Sequence, residues 1–202
     1  MKLDLRALLQ GSPCNLRHVR RFSTSRCHWP ENVAEHSFYV CLYTLAICEW
    51  CQDSCVVKPD AGGALVRAVL HDMEEARSGD VVRPFKYSEP ELKSNLDAAA
   101  AIACGQVMDE LWGKDSLNAC TWASTWACSK DDTQEGWIVR FADFLSVLSF
   151  ALQEGQGAPV RLSLDTLRAA FDRFVCYQCD FIRPLVDEAG SLVKEVLADG
   201  GT

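Results

Sequence analysis

The sequence contains no run of about 18 apolar residues, the length that a membrane-crossing helix needs, so no spanning segment is expected. Its first residues, MKLDLRALLQ, lack the apolar core and small-residue cleavage site of an export signal. No stretch alternates apolar and polar residues convincingly enough for a half-buried strand, and there is no internal repeat or low-complexity tract. Positive charge is also in deficit. The formal net charge of -8 argues against broad electrostatic association with nucleic-acid polymers or anionic membranes. These absences point to a cytoplasmic protein with no membrane or nucleic-acid partner.

What is present reads as helix after helix. At 202 residues and 49% hydrophobic content, the chain can bury one sizeable core, so one domain over 1–202 is expected. Residues 33–51 form an apolar-rich run with Asn32 placed as its N-cap. Leu65, Val66, Val69, Leu70 and Met73 recur at helical spacing within 60–75, where Asp60 caps the start and Gly79 stops the run. Pro84 and Pro90 mark 80–90 as a loop. Helical patterns resume over about 91–112, 131–154, 163–177 and 181–198, with a break at Gly155, Gly157 and Pro159. The expected fold class is all-α, a compact multi-helix domain.

Eleven cysteines, an odd number without an export signal, favour reduced thiols over a disulfide framework. Cys48, Cys51 and Cys55 lie on one helical stripe, and Cys176 and Cys179 form a C-x-x-C within helix-like sequence. Free cysteine packs readily as a small apolar side chain, which is the expectation for both groups. A second metal site is the alternative. Likewise Trp112, Trp122, Trp126 and Trp137 are expected to pack a core or interface rather than define a helical interaction module.

The chemistry concentrates at His71-Asp72, with His36 upstream and Asp143 downstream. Two imidazoles and two carboxylates suit a catalytic divalent ion and lack the closed cysteine shell of a structural zinc. On a continuous helix Arg67, His71 and Glu75 would stack at i, i+4 and i+8, bringing Glu75 near a water at the ion. Asp143 lies in WIVRFADFLSVL, apolar almost all round, where an unpaired carboxylate is costly to bury and calls for a metal or a cation. Arg140, one turn earlier, either supplies that cation or faces a phosphate. Taken singly, His36 can equally be a hydrogen-bonded core histidine, and Asp143 can pair with an arginine.

The segments RRFS (20–23), PENVAEHS (30–37), LHDMEEARSGDVVRPFK (70–86) and IVRFADFL (138–145) resemble the HD-domain phosphohydrolases. The branch is similar to the YfbR-type 5'-deoxynucleotidases, together with phage DatZ-like dATP triphosphohydrolases. The resemblance covers a motif-bearing core of about 16–155; the C-terminal helices, about 160–198, carry no motif. It implies His36, His71, Asp72 and Asp143 as ligands of one divalent metal (Co, Mn, Zn, Mg or Fe), and Glu75 as the group acting on the attacking water. It also implies Arg21 on the substrate phosphate, Phe22 against the base where the family has a tryptophan, and Asp80 near the deoxyribose. Lys86 and Arg140 match positions that hold outer phosphates in triphosphate-cleaving relatives. Arg83 replaces a small polar residue of the substrate loop, which adds positive charge. The implied substrate is a deoxynucleotide, mono- or triphosphate, in bacterial or phage-infected cytosol, with the protein a homodimer or larger homo-oligomer. A nucleotide sensor with a non-catalytic HD site is the competing reading.

Overall fold

The longest early helix is fixed at its start by two reciprocal bonds. Asn32 Oδ1 accepts the Glu35 N–H at 3.0 Å, and Glu35 Oε2 accepts the Asn32 N–H at 3.1 Å, a capping box that opens Val33–Ser54. The computed structural model describes residues 3–24, 27–56, 58–154, 168, 170–174 and 177–199. The expected break at Gly155 to Pro159 lies outside them, as do Cys176 and most of the expected helix over 163–177.

Among the described residues the helices are α1 (Leu5–Gln10), α2 (Val33–Ser54), α3 (Ala61–Leu70), α4 (Glu75–Ser78), α5 (Arg83–Lys86), α6 (Pro90–Trp112), α7 (Leu117–Ala127), α8 (Gln134–Glu154) and α9 (Arg183–Asp199). Short 3-10 turns occupy Ser12–His18, Asp172–Phe174 and Tyr177–Ile182. The fold is all-α. The only strand-like pairing among the described residues is an isolated antiparallel bridge between Arg20 and Asn32.

Asp60 caps α3 as expected, its Oδ1 accepting the Gly63 N–H at 3.0 Å. Pro90 sits in the first turn of α6, where its missing N–H costs nothing. Four elements differ from expectation. The helix expected over 60–75 stops at Leu70, α5 interrupts the expected loop over 80–90, and α1 and α7 fall in stretches with no helical expectation. Ser116 caps α7 by accepting the Ala119 N–H at 3.1 Å.

Two apolar clusters hold these elements. One joins Val40, Ile47, Cys48 and Cys51 of α2 to Ala64 and Ala68 of α3, to Ile138, Phe141 and Leu148 of α8, and to Val186 and Val193 of α9. The other packs Leu16, Val33 and Leu70 with Cys104, Met108 and Leu111 of α6 and Ala119 of α7, with Trp112, Trp122 and Trp126 against it. Cys41, Cys48, Cys51, Cys55 and Cys104 are free thiols. Burial pushes Cys48 up to about 11 and, with help from Cys55, Cys51 up to about 12, and both pack in the first of these clusters with Cys55 against it. No described helix is long and apolar enough to cross a membrane.

Candidate metal centre and its cavity

The early end of α3 builds the centre. His71 is right-handed helical (φ -58°, ψ -29°), after which the chain turns tightly: Met73 N–H donates to the Leu70 carbonyl and Glu75 N–H to the Asp72 carbonyl, both at 3.1 Å. The expected stack of Arg67, His71 and Glu75 on one continuous helix is therefore replaced by a helix, a turn and α4. His71 Nδ1 donates to the Ala68 carbonyl at 2.7 Å, which leaves the Nε2 lone pair directed into the centre.

His36 from α2 and Asp143 from α8 meet it there. His36 Nε2 lies 3.2 Å from His71 Nε2 and 3.3 Å from both Asp72 Oδ2 and Asp143 Oδ1. His71 Nε2 lies 2.9 Å from Asp72 Oδ2. Four tetrahedral ligands about 2.1 Å from an ion stand about 3.4 Å apart, so this donor set fits one divalent cation. An imidazole that uses Nε2 in this way carries its proton on Nδ1, and Ser146 Oγ lies 2.9 Å from His36 Nδ1 to accept it.

The outer oxygens of both carboxylates face a residue that the sequence did not reveal. Lys130 Nζ lies 2.7 Å from Asp143 Oδ2 and 3.7 Å from Asp72 Oδ1. Lys130, not Arg140, is the cation beside Asp143. Burial works against all three charges, yet they outweigh it: Lys130 with His71 and His36 holds Asp72 well below the usual carboxylate range, and Lys130 with His36 does the same for Asp143. Burial likewise opposes the Lys130 charge, but Asp143, Asp72 and Glu74 raise its pKa. The loop that delivers Lys130 is gripped from α3. Arg67 Nη1 donates to the Cys128 carbonyl at 2.9 Å, Asp131 Oδ1 at 2.7 Å and Thr133 Oγ1 at 2.9 Å.

Glu75 stands beside the ligands with its Oε2 buried and without a hydrogen-bond partner. Burial, then the charges of Asp72, Asp80 and Glu74, push it up to about 10, a shift that a cation on the neighbouring donors would oppose. Glu74 turns away, its Oε2 accepting Trp126 Nε1–H at 2.6 Å. Arg21 Nη1 lies 2.6 Å from Glu31 Oε2 and 2.6 Å from His36 Nδ1. Its burial is outweighed by Glu31, Asp143, Asp72 and Asp80, which raise its pKa.

These groups open onto a cavity of about 700 Å³ whose walls include Arg21, Phe22, Thr24, Glu75, Asp80, Arg83, Lys86 and Arg140, together with Asp72, Asp143 and Lys130. The family described as 5'-deoxynucleotidase YfbR-like matches residues 12–158. The chain belongs to that family. A 5'-deoxynucleotidase of Vibrio parahaemolyticus is 26% identical over 141 residues, 69% of this chain and 70% of that protein. An HD-domain phosphohydrolase of Listeria innocua superposes with a TM-score of 0.73 at 18% identity, covering 95% of this chain and 97% of its own. The cyanophage S-2L HD phosphohydrolase DatZ, bound to dA and one catalytic Zn2+ ion, gives 0.61 at 19% identity, covering 92% and 96%. The last two establish a shared HD-domain fold.

On the wall of this YfbR-like cavity Phe22 is backed by Phe150, ring centres 4.4 Å apart and planes 13° apart, with the Arg21 guanidinium 5.0 Å from the Phe22 ring centre. Phe22 adopts φ 51°, a left-handed conformation costly for an aromatic residue, and its N–H donates to the Asp80 carboxylate. Gly79 next to Asp80 has φ 71°, which a side chain would resist. Lys86 is engaged by Asp97 at 3.1 Å. Arg140 donates to Asp132 Oδ1 at 3.1 Å and to the Lys130 carbonyl, and its guanidinium lies 4.5 Å from the Trp137 ring centre. Both line the cavity, but each has a protein partner in place. Besides Lys130, the sequence reading overlooked Phe150 and Arg173; their places depend on pairings across the fold, and no local pattern marks them.

Proposed function

We propose that this centre hydrolyses 2'-deoxynucleoside 5'-phosphates, water attacking the phosphorus that carries the 5'-oxygen. One observation carries the reading: four metal-type donors converge in a cavity beside a carboxyl whose buried oxygen has no protein partner. Membership of a 5'-deoxynucleotidase family supports the substrate class. DatZ, which shares the fold, supports a nucleoside in the cavity and an ion on the ligands.

His36, His71, Asp72 and Asp143 would hold one divalent ion, which when bound supplies Lewis acidity toward water and toward a phosphoryl oxygen. The ligand set accepts Co, Mn, Zn, Mg or Fe. Glu75 takes a proton from the attacking water. The water oxygen bonds to phosphorus, the bond to the 5'-oxygen breaks, and the 5'-oxygen leaves with a proton returned by the same carboxyl. Arg21 is the phosphate-facing cation. Once Nδ1 of His36 carries a proton, the guanidinium loses its acceptor there and is available to donate to a phosphoryl oxygen. The Phe22–Phe150 pair offers a flat surface for a base, and Asp80, fixed by the Phe22 N–H, sits on the sugar side. Lys130 occupies the outer carboxylate oxygens, which would leave the other oxygen of each aspartate for the ion. The presence of Glu75 at this point weighs against a sensor that binds without turnover.

Products from dAMP and dATP, each incubated with metal-loaded protein, test the reading. Deoxyadenosine should form from at least one of them, with orthophosphate or intact tripolyphosphate as the other product. Metal-loaded protein that binds nucleotide but releases neither product would refute hydrolysis.

A further inference from the structure

One wall of the cavity carries more positive charge than a single phosphate requires, and part of that charge has no partner. Arg83, at the start of α5, places its guanidinium carbon 5.0 Å from the ring centre of Tyr87. Arg173, on the 3-10 turn at Asp172–Phe174, places its own 5.6 Å from the same ring centre. The two arrive from segments some 90 residues apart and meet on one aromatic platform (173 minus 83). Lys86 and Lys93 nearby share one carboxylate, Asp97, so each of them has an acidic partner. Among the described residues neither arginine forms an ion pair with a carboxylate, and Arg83 Nη2 is buried with no hydrogen-bond partner.

Two guanidinium groups held together, one of them with an orphaned buried donor, are unfavourable unless an anion joins them. Burial and then the Arg173 charge lower the Arg83 pKa, as expected for like charges close to each other beside one ring. Both line the cavity that holds Asp72, Asp143 and Glu75, so the anion they would take shares the space of the reacting phosphate. Planar, forked guanidinium groups match the oxygens of a phosphoryl group.

We propose that Arg83 and Arg173, braced by Tyr87, form a second anion subsite that grips a phosphoryl group further along the phosphate chain than the one at the metal centre. The inference rests on the nucleotide-hydrolase reading of the cavity and extends it. The subsite favours substrates with more than one phosphate, and it would equally retain free tripolyphosphate.

Calorimetric titration of the metal-free full chain with inorganic tripolyphosphate and with orthophosphate separates this idea from turnover. Tripolyphosphate should bind more tightly than orthophosphate. Arg173→Ala should weaken tripolyphosphate by about tenfold or more, and Arg173→Lys should recover only part, since it restores charge without the fork. In metal-loaded protein, Arg173→Ala should lower the ratio of kcat/KM for dATP to that for dAMP. Equal affinity of wild type and Arg173→Ala for tripolyphosphate, or no preference for it over orthophosphate, would overturn the subsite and leave the hydrolase reading standing. Tight, Arg173-dependent tripolyphosphate binding without turnover of either nucleotide would support the subsite and refute hydrolysis.

Discussion

Replacing Lys130 by methionine removes a charge from the centre while keeping much of the side chain's length. In the metal-free protein Lys130 is the counter-ion of two aspartates, 2.7 Å from Asp143 and 3.7 Å from Asp72. Removing one partner of a buried ion pair costs about 3–5 kcal/mol. The Lys130 side chain is 32% exposed, so solvent screens part of this, and about 2 kcal/mol is the appropriate scale. A divalent ion replaces that lost neutralisation and is itself repelled by the lysine. The loss therefore falls on the metal-free state and not on the loaded one. Lys130→Met should lower the Tm of chelator-treated protein by about 4–8 °C. It should also tighten Co2+ binding by about 30-fold, the factor equivalent to 2 kcal/mol. Scanning calorimetry reads the first effect, and the visible absorption of Co2+ during titration reads the second. An unchanged metal-free Tm together with unchanged or weaker Co2+ binding would refute the electrostatic account of this lysine.

Asp72→Ala should abolish stoichiometric metal retention after dialysis, measured by elemental analysis; a full complement of ion in the variant would remove Asp72 from the ligand set. Glu75→Gln should keep the metal but reduce turnover by about 100-fold or more, and undiminished turnover would dismiss Glu75 as the proton carrier. Arg21→Ala should depress kcat/KM for nucleotides by about 10- to 100-fold, since it removes charge-assisted hydrogen bonds. A loss confined to melting temperature would assign Arg21 to structure alone. Glu75 also sets a pH dependence of stability. In the metal-free protein its folded-state pKa is raised to about 10 from an ordinary 4.5, so the folded state holds a proton that the unfolded chain releases. Its stabilising contribution is present at low pH and declines as pH rises from about 4.5 towards about 10. Urea midpoints of chelated protein should fall between pH 5.5 and 8.5, and Glu75→Gln should flatten that fall. Parallel pH profiles for variant and wild type would contradict the assignment.

The four donors that the structure brings together were legible because two imidazoles and two carboxylates stand in largely apolar segments that resemble a known family. The caps Asn32 and Asp60 were readable too, because a side chain's reach to the N–H three residues on is a local matter. The end of α3 at Leu70 was not, since the periodicity continues through Met73 while the turn at 71–74 serves the centre. Helix α7 mixes three alanines with two threonines, two tryptophans, Asn118, Cys120 and Ser124, which favour helix only weakly; its tryptophans are kept by packing and, for Trp126, by Glu74. Lys130 had no local signal at all. It is placed by Arg67, more than sixty residues earlier, and by Gly136, where a side chain would collide with the Asp131 backbone.

That grip by Arg67 gives α3 a mechanical role. The helix bears the ligand pair at its end and, one turn before it, the hand that holds the loop of the opposing cation. When α3 shifts within the molecule, Asp72 and its counter-charge Lys130 travel together, like two tools on one arm. The separation between Lys130 and Asp72 is thus tied to α3 from both sides.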